Sequence, residues 1–593
     1  MSPLRSGAKN PTSFYCEDNY WYDFGTATGG DVLDLAAQLE YDGDLSRAVR
    51  ELSQELGIQS ENINTQWKSD IQKLCNRTAA YHEALTPEDY KYLSERGLDY
   101  SYGQGLSHDK IVLGDRLENP YKTENITKAL QSLYPTKADR VDVKTTHLYV
   151  RFLPRTEQEV DLLNSLGLVM TDHPLDYDIV VDGDWYHDPS VPEGRVTWQY
   201  AVVPPDFKFP DILYEVIDEC YISENDAATR ADGIDWEAVE RESYILTGNA
   251  DRIATLTRGS AKEQPAGRIT IEDEHYSGGK PVGVAGVRVC CNSFVKYDYA
   301  VTDRDGYYKM EKSFSSKLRY RLVFENEKGF SIGFNLVLVP ASVSTLGRTE
   351  PTGVNMTVTK TSDEKLFRRC VVNNAAYDYI SRCASEDLGL ALPPSDLRIW
   401  IFHKLEASSA VMLHQGALVS QDDIKEFLGD YASLLTYFLP DITIGAAAAK
   451  DYRTLYSTTV HEMSHASHFS KVGTGYWNNY IFYIIKSFLE DNDMTYGDGT
   501  GTSSGYCEIG EMWAYYLESK FFKDRYGGTF PTFGTSYWFY PQIFRFLNER
   551  GVSVSAMFSV LTSNVTSRQA LKEALISEYP DKRTIVEQVF SRY

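Results

Sequence analysis

Apolar and polar positions change rhythm several times along the chain. Between Asp31 and Leu56 apolar residues recur at Leu33, Leu35, Ala36, Leu39, Leu45, Val49 and Leu52. That broken helical period predicts one helix in an otherwise polar, Tyr-rich and irregular stretch reaching to about residue 120. From about residue 137 the pattern sharpens. His147–Leu153 (HLYVRFL) reads as a strand, Thr156–Leu166 as a helix and Leu168–Met170 as a second strand. Strand, helix, strand predicts a small α/β or α+β unit, continued by the apolar run Asp176–Val181. The Pro-dense segment Val203–Pro210 predicts an extended, rigid connector packed on a neighbour. Residues 265–340 then alternate short β runs (Gly267–Ile271, Ala285–Val289, Tyr320–Phe324) with Asp and Gly turns. Turns spaced about ten residues apart predict a small β-sandwich. After Ser362 helical periods dominate. A long helix is expected over Glu364–Ser385, strands at Leu397–Phe402 and Asp441–Ile444, a helix from Asp451 to about Ser470, and further helices to the C-terminus. The whole predicts a multidomain α+β protein with the limits 1–125, 126–260, 261–345 and 346–593, the last domain mostly helical with a small sheet.

Length agrees with that division, since 593 residues at about 150 per domain give roughly four domains. Charge excludes one class of partner. With 59 Lys plus Arg against 84 Asp plus Glu the formal charge is −25, and phosphate backbones require clustered cations, so no nucleic acid is expected. No run of about eighteen apolar residues occurs, so no transmembrane segment is expected. The N-terminal MSPLRSGAKN lacks the apolar core of a secretory signal, which predicts either a cytosolic protein or a chain whose signal or lipid anchor has been removed. The eight cysteines form no CxxC pair and are expected to be mostly buried free thiols. Adjacent Cys290 and Cys291 would face opposite sides of a strand. The 42 tyrosines suit wet clefts and surfaces, because the ring is apolar and the tip polar.

One motif carries chemistry: His461-Glu462-Met463-Ser464-His465. Residues four apart share a helix face, so both imidazoles can meet at one point. Two neutral imidazoles suit zinc, and the intervening Glu462 is placed to act as a general base. Leu455, Thr459, Met463 and Ala466 are expected to pack inward. A third ligand is then required. A metzincin would carry a His six residues after the second, where this chain has Lys471. His468, one turn along, is expected beside the ligands, at the cleft rim or on the surface. The segment Cys507–Glu518 offers Glu511, with Glu508 as the alternative one turn earlier; a solvated acidic face, extended by Glu518, is the plain reading.

On these residues the chain resembles the gluzincin group of HExxH zinc peptidases, whose third ligand is a downstream helical Glu. Glu511-Met512-Trp513-Ala514 matches its ExxA form. Some members place an Asp four residues after that Glu to orient a ligand His; here the position is Tyr515. The resemblance implies a zincin-like metallopeptidase domain with His461, His465 and Glu511 on Zn2+, Glu462 as base, and a peptide or protein substrate. An oxyanion donor would come from Tyr516, Tyr537, Tyr540 or His468, and a substrate strand would lie along Ile442–Gly445 and the small residues Ala446–Ala449. Residues 265–340 resemble the carboxypeptidase regulatory-like (transthyretin-like) module. Thr302-Asp303-Arg304-Asp305-Gly306-Tyr307-Tyr308 matches its TDxxGxY turn, and the strand from Pro281 approximates its PVxGAxV. That resemblance implies an accessory role, with Asp303 and Asp305 as turn residues rather than calcium ligands. Asp491-Asn492-Asp493 is read as a loop, since the EF-hand glycine is missing. Together these features predict a secreted or cell-surface zinc metallopeptidase, similar to exported bacterial lipoproteins. A non-catalytic surface binding protein or adhesin retaining a zinc site is the alternative, and residues 137–182 could serve as an inhibitory prodomain.

Overall fold

The computed structural model describes residues 14–17, 20–23, 28–31 and 110–593, apart from 137, 139–140, 193–194, 224–232, 256–261, 334–340, 386–387, 403–407, 418–439, 448–450, 491–495 and 529–536. The helix expected after Asp31 and the loop Asp491–Asp493 lie outside the described residues. The chain forms two compact units, Met1–Tyr100 and Ser101–Tyr593. In the first, β1 (Phe14–Glu17), β2 (Tyr20–Asp23) and β3 (Thr28–Asp31) form an antiparallel sheet. The aromatic residues read as irregular from sequence are therefore partly strand, the state aromatic rings favour.

The second unit is mixed α+β, with several sheets, a mostly helical C-terminal region and, over the described residues of the whole chain, eleven α-helices. It opens with β4 (Val112–Arg116), α1 (Thr123–Leu133), β5 (His147–Leu153), α2 (Glu157–Ser165), β6 (Tyr177–Val181), β7 (Gln199–Val203), β8 (Leu213–Cys220) and α3 (Trp236–Leu246). The strand at His147–Leu153 is as expected, but Leu168–Met170 is not a strand. β5 is paired on both sides, by β7 and β8, and the segment meets the outer edge of β7 only at one bridge, Thr171 to Tyr200. Leu168 and Met170 instead pack against the core cluster that contains Val150, Phe152 and Leu163. The Pro-dense segment connects two strands that both run antiparallel to β5, and so parallel to each other, and it travels back past β5 between them. It joins β7 to β8 and lays Phe207 and Phe209 on Phe152.

Two further sheets follow. One joins β9 (Ala266–Ile271), β10 (Val282–Gly283), β13 (Tyr307–Lys309) and β17 (Asn355–Val358). The other runs β12 (Lys296–Val301), β11 (Val287–Ser293), β14 (Leu318–Asn326), β15 (Phe330–Ile332), β18 (Leu397–Phe402), β19 (Ile442–Gly445), with β16 (Val343–Thr349) also on β14. β15, β18 and β19 are parallel, so this sheet passes through the limit expected at residue 345. Asp303 is a turn residue: its Oδ1 accepts from the backbone N–H groups of Asp305 and Tyr307, both at 2.9 Å. Gly306 closes that turn at φ 83°, and a Cβ there would lie 2.0 Å from the Ile269 carbonyl. Alternation along β11 and β14 sends Val287, Val289, Cys291, Leu318, Tyr320, Leu322 and Phe324 into one large core, shared with Ile269, Ile271 and the C-terminal helices.

Those helices are α4 (Glu364–Cys383), α5 (Tyr452–Val472), α6 (Thr474–Glu490), α7 (Ser504–Tyr526), α8 (Gln542–Glu549), α9 (Val554–Ser559), α10 (Arg568–Glu578) and α11 (Arg583–Phe590). The Asp451 side chain caps α5 by accepting from Thr454 N–H at 2.7 Å, and Gly473 at φ 80° ends it. The far end of α7 is tied to the β region. Arg525 pairs with buried Asp273 at 2.9 Å and lies 4.1 Å from the Tyr276 ring and 4.8 Å from that of Tyr456. Cys220, Cys290, Cys291, Cys370, Cys383 and Cys507 are buried free thiols. Among the described residues no helix is long and apolar enough to cross a membrane.

Candidate metal centre

α5 packs against both α6 and α7, and the site forms where the three meet. Leu455, Thr459, Met463 and Ala466 are buried, which turns the HExxH face toward α7. The two Nε2 atoms of His461 and His465 stand 3.2 Å apart. Glu511 on α7 closes the triangle, with Oε2 at 3.3 Å from His461 Nε2 and Oε1 at 3.4 Å from His465 Nε2. All three side chains are buried, and their ligating atoms lie within 4.8 Å of one another, so the group could hold a metal ion.

The donor set fits such an ion. Two neutral imidazole nitrogens facing each other can share at most one proton, and here they face each other across a carboxylate. Glu511 Oε2 and His465 Nδ1 are buried without a hydrogen-bond partner. Two nitrogens and one oxygen are a three-residue zinc set that leaves a coordination position open.

Glu518, for which the sequence offers no more specific role than an acidic helix face, orients the first histidine. His461 Nδ1 donates to Glu518 Oε2 at 3.1 Å, and Ser457 Oγ donates to Oε1 of the same carboxylate at 2.7 Å. A carboxylate only accepts, so Nδ1 carries the hydrogen and Nε2 keeps its lone pair for a metal. Tyr515 stands where an orienting Asp was sought, and its ring lies edge-on to His461 with centroids 4.5 Å apart. The spacing of seven between Glu511 and Glu518, two turns on one face, was the available signal. Tyr480 on α6 was also missed: its hydroxyl donates to Glu511 Oε1 at 2.5 Å and lies 3.3 Å from His465 Nε2. No motif announces it.

The remaining candidates lie elsewhere. Glu508 is turned to α10, where its Oε2 accepts from Arg568 N–H at 3.1 Å and its Oε1 lies 3.3 Å from Arg568 Nε. His468 is neither at a rim nor on the surface. It is fully buried against Tyr476 and Trp477, with both ring nitrogens unpartnered. Tyr516 is buried with its hydroxyl unpartnered, and Tyr540 packs on Tyr593. Only Tyr537 of the four oxyanion candidates is linked toward the centre, accepting from Tyr515 at 3.3 Å. The β19 edge expected to take a substrate strand is partly occupied, since Thr443 and Ser409 exchange backbone bonds of 2.8 and 2.9 Å.

Electrostatics divide these groups. Burial opposes protonation of His461, but the neighbouring carboxylates of Glu511 and Glu518 prevail and hold its pKa well above the ordinary value. For His465 burial wins and the pKa falls. Burial alone would raise Glu511, yet the charges and hydrogen bonds of His465 and His461 hold it far below the usual carboxylate range. Glu462 is pushed up to about 8, by burial first and then by the charges of Glu511 and Glu518, against the opposing pull of His461.

No family model, curated protein or solved structure matches the chain.

Proposed function

We propose that the chain is a zinc-dependent metallopeptidase of gluzincin type, with a zincin-like catalytic domain in its mostly helical C-terminal region. The observation that carries this reading is the convergence of His461, His465 and Glu511, with Glu462 on the same helix between the histidines. A tetrahedral N2O set with one position open is the habit of catalytic zinc. Zinc, when bound, supplies a Lewis acid that polarises a carbonyl and lowers the pKa of water. The rest belongs to the chain. Glu462 accepts a proton from the attacking water and returns it to the leaving amine, a task for a carboxylate of raised proton affinity. Glu518 fixes the His461 tautomer, and Tyr480 donates to Glu511 and so restrains that carboxylate's rotation. Low dielectric around these buried groups strengthens each interaction.

Peptides or proteins are the substrates in this reading, and an exported or cell-surface setting goes with it. The carboxypeptidase regulatory-like reading of residues 261–345 is supported by the Asp303 turn and implies a positioning role. The test is metal analysis together with Glu462→Gln. Purified chain should carry about one zinc. The variant should keep that zinc and lose hydrolysis of a broad peptide library by at least about a hundredfold. A zinc-loaded wild type that cleaves nothing in such a library is a binding protein, and a chain that takes no zinc has no metal centre.

A further inference from the structure

The seven-stranded sheet has two unlike faces. Its inner face joins the main core, whereas alternation along β11 and β14 turns Arg288, Cys290, Asn292, Arg319 and Arg321 outward. Cross-strand register sets Tyr299, Cys290, Arg321 and Thr345 in one row and Tyr297, Asn292, Arg319 and Arg348 in the next. The segment from Asp172 to Asp184 packs over part of this face and neutralises some of it. Arg319 Nη2 reaches Asp182 Oδ1 at 2.6 Å, and its Nη1 lies 2.9 Å from His173 Nε2. Asp182 Oδ2 is taken by Thr345 Oγ1 at 2.9 Å, and Asp172 by His173 Nδ1 at 2.9 Å and Tyr186 N–H at 2.6 Å.

Arg321 is left over. It is 4% exposed, its Nε is buried without a partner, and among the described residues no ion pair reaches it. Cys290 beside it supplies no countercharge, because burial pushes that thiol's pKa up and keeps it neutral. Burial pulls the Arg321 guanidinium down and Arg319 acts in the same direction, and the more distant Asp172 and Asp182 carboxylates only partly oppose them. A buried cation that carboxylates reach only from a distance is unfavourable, so such a group calls for an anion in direct contact. Two neighbours share its condition. Arg288, one diagonal step away on the same face, pairs with Glu325 at 3.1 Å through Nη1, yet its Nε is also buried and unpartnered. Asn292 Oδ1 lacks a partner too. This face opens to solvent along β12, where Tyr299 opposite Cys290 is 42% exposed and Val301 opposite Arg288 is 40% exposed.

We propose that Arg321 and Arg288 form a binding site for an oxyanion, the carboxylate or phosphate group of a small ligand, on the outer face of this sheet. Planar guanidinium groups match the paired oxygens of either group, and Nε–H is the donor each has free. The ligand enters past Tyr299, whose ring stacks with Arg288 at 5.0 Å. The site lies in the β region and does not depend on the metal centre.

Binding to the full chain is measured by calorimetry with inorganic phosphate and with acetate, at constant ionic strength set by chloride. Thermal melts accompany each titration. Wild type should bind one of the two anions saturably and gain melting temperature from it. Preference for phosphate or for acetate identifies which group the site serves. Arg321→Met should weaken binding by about tenfold or more and gain no melting temperature from the anion. Without either probe it should melt at least as high as wild type, because it removes an unpaired buried charge. Arg288→Met, with the same expected loss of binding, serves should Arg321→Met fail to fold. Absence of binding beyond the chloride control overturns the proposal, as does equal binding by wild type and Arg321→Met. An Arg321→Met chain that melts below wild type without either probe also overturns it.

Discussion

Two buried histidines, each beside a carboxylate, lie in different parts of the second unit. His173 has Asp172 at Nδ1 and Arg319 at Nε2, both at 2.9 Å. His461 has Glu518 at Nδ1, but its Nε2 faces another imidazole and a second carboxylate. In the first case a guanidinium completes the ring's valences. Burial and Arg319, against the bond to Asp172, push His173 down to about 4, and it stays neutral as a structural joint. In the second, no donor with a fixed charge is offered among the described residues, and the carboxylates on both sides push the pKa up instead. An imidazole whose second nitrogen meets an arginine is closed; one whose second nitrogen meets only acceptors is waiting for a cation.

The largest test of that contrast is metal retention. Glu511→Ala should lose zinc to a chelator that leaves wild type loaded, whereas Glu508→Ala and His173→Gln should retain it, as measured by metal analysis after dialysis. Zinc loss from Glu508→Ala at the level of Glu511→Ala would mean that the donor triangle is drawn wrongly. A smaller effect is expected at the orienting carboxylate. Glu518→Gln should reduce zinc affinity about 10–100-fold in a competition titration, and Asp172→Asn should not change it. Equal affinity in Glu518→Gln and wild type would leave Glu518 a mere surface partner of Ser457.

The smallest effect concerns His468, three residues from His465 on the same helix and bonded to nothing. Its folded pKa is depressed to about 3 by burial, so the unfolded chain binds the proton more readily. The linked stability is fully present above the unfolded value of about 6.5 and is lost as pH falls toward the folded value. At pH 5 that loss is about 2 kcal/mol. His468→Phe removes it, so denaturant melts at pH 7 and pH 5 should show the variant gaining by about that amount relative to wild type. A gap that does not change with pH would show that His468 is protonated or hydrated inside the fold.

Local spacing made much of the centre legible. His461 and His465 announce themselves because four residues bring side chains onto one helix face, and the ExxA stretch on α7 is an equally local pattern. Glu518 could not be read the same way. Its role depends on how α7 lies along α5, which is a matter of packing between segments some fifty residues apart, as the 57-residue separation from His461 records. Tyr480 reaches the centre only because α6 doubles back after Gly473. The sheet shows the same limit. The strands at Leu318–Asn326, Leu397–Phe402 and Ile442–Gly445 have local signatures, but β15, β16 and β17 were not read, and the parallel pairing of Phe330 with Leu397 joins runs that no periodicity connects. Leu168–Met170 carries a strand-like run but stays out of the ladder: β5 is paired on both sides, and the segment meets the edge of β7 only through the single bridge of Thr171 to Tyr200.

The two carboxylates that hold His461 lie on one rigid helix, about 10 Å apart along its axis. Glu511 addresses one nitrogen of the ring and Glu518 the other. A single imidazole therefore gauges how α7 is aligned against α5: a slip of one residue in either direction would pull both carboxylates off their nitrogens together. The far end of α7 is pinned by Arg525 to Asp273 in the β region. The alignment that the ring reads is thus set from outside the helical region, and the remote strands act as the fixed end of a ruler whose zero mark is His461.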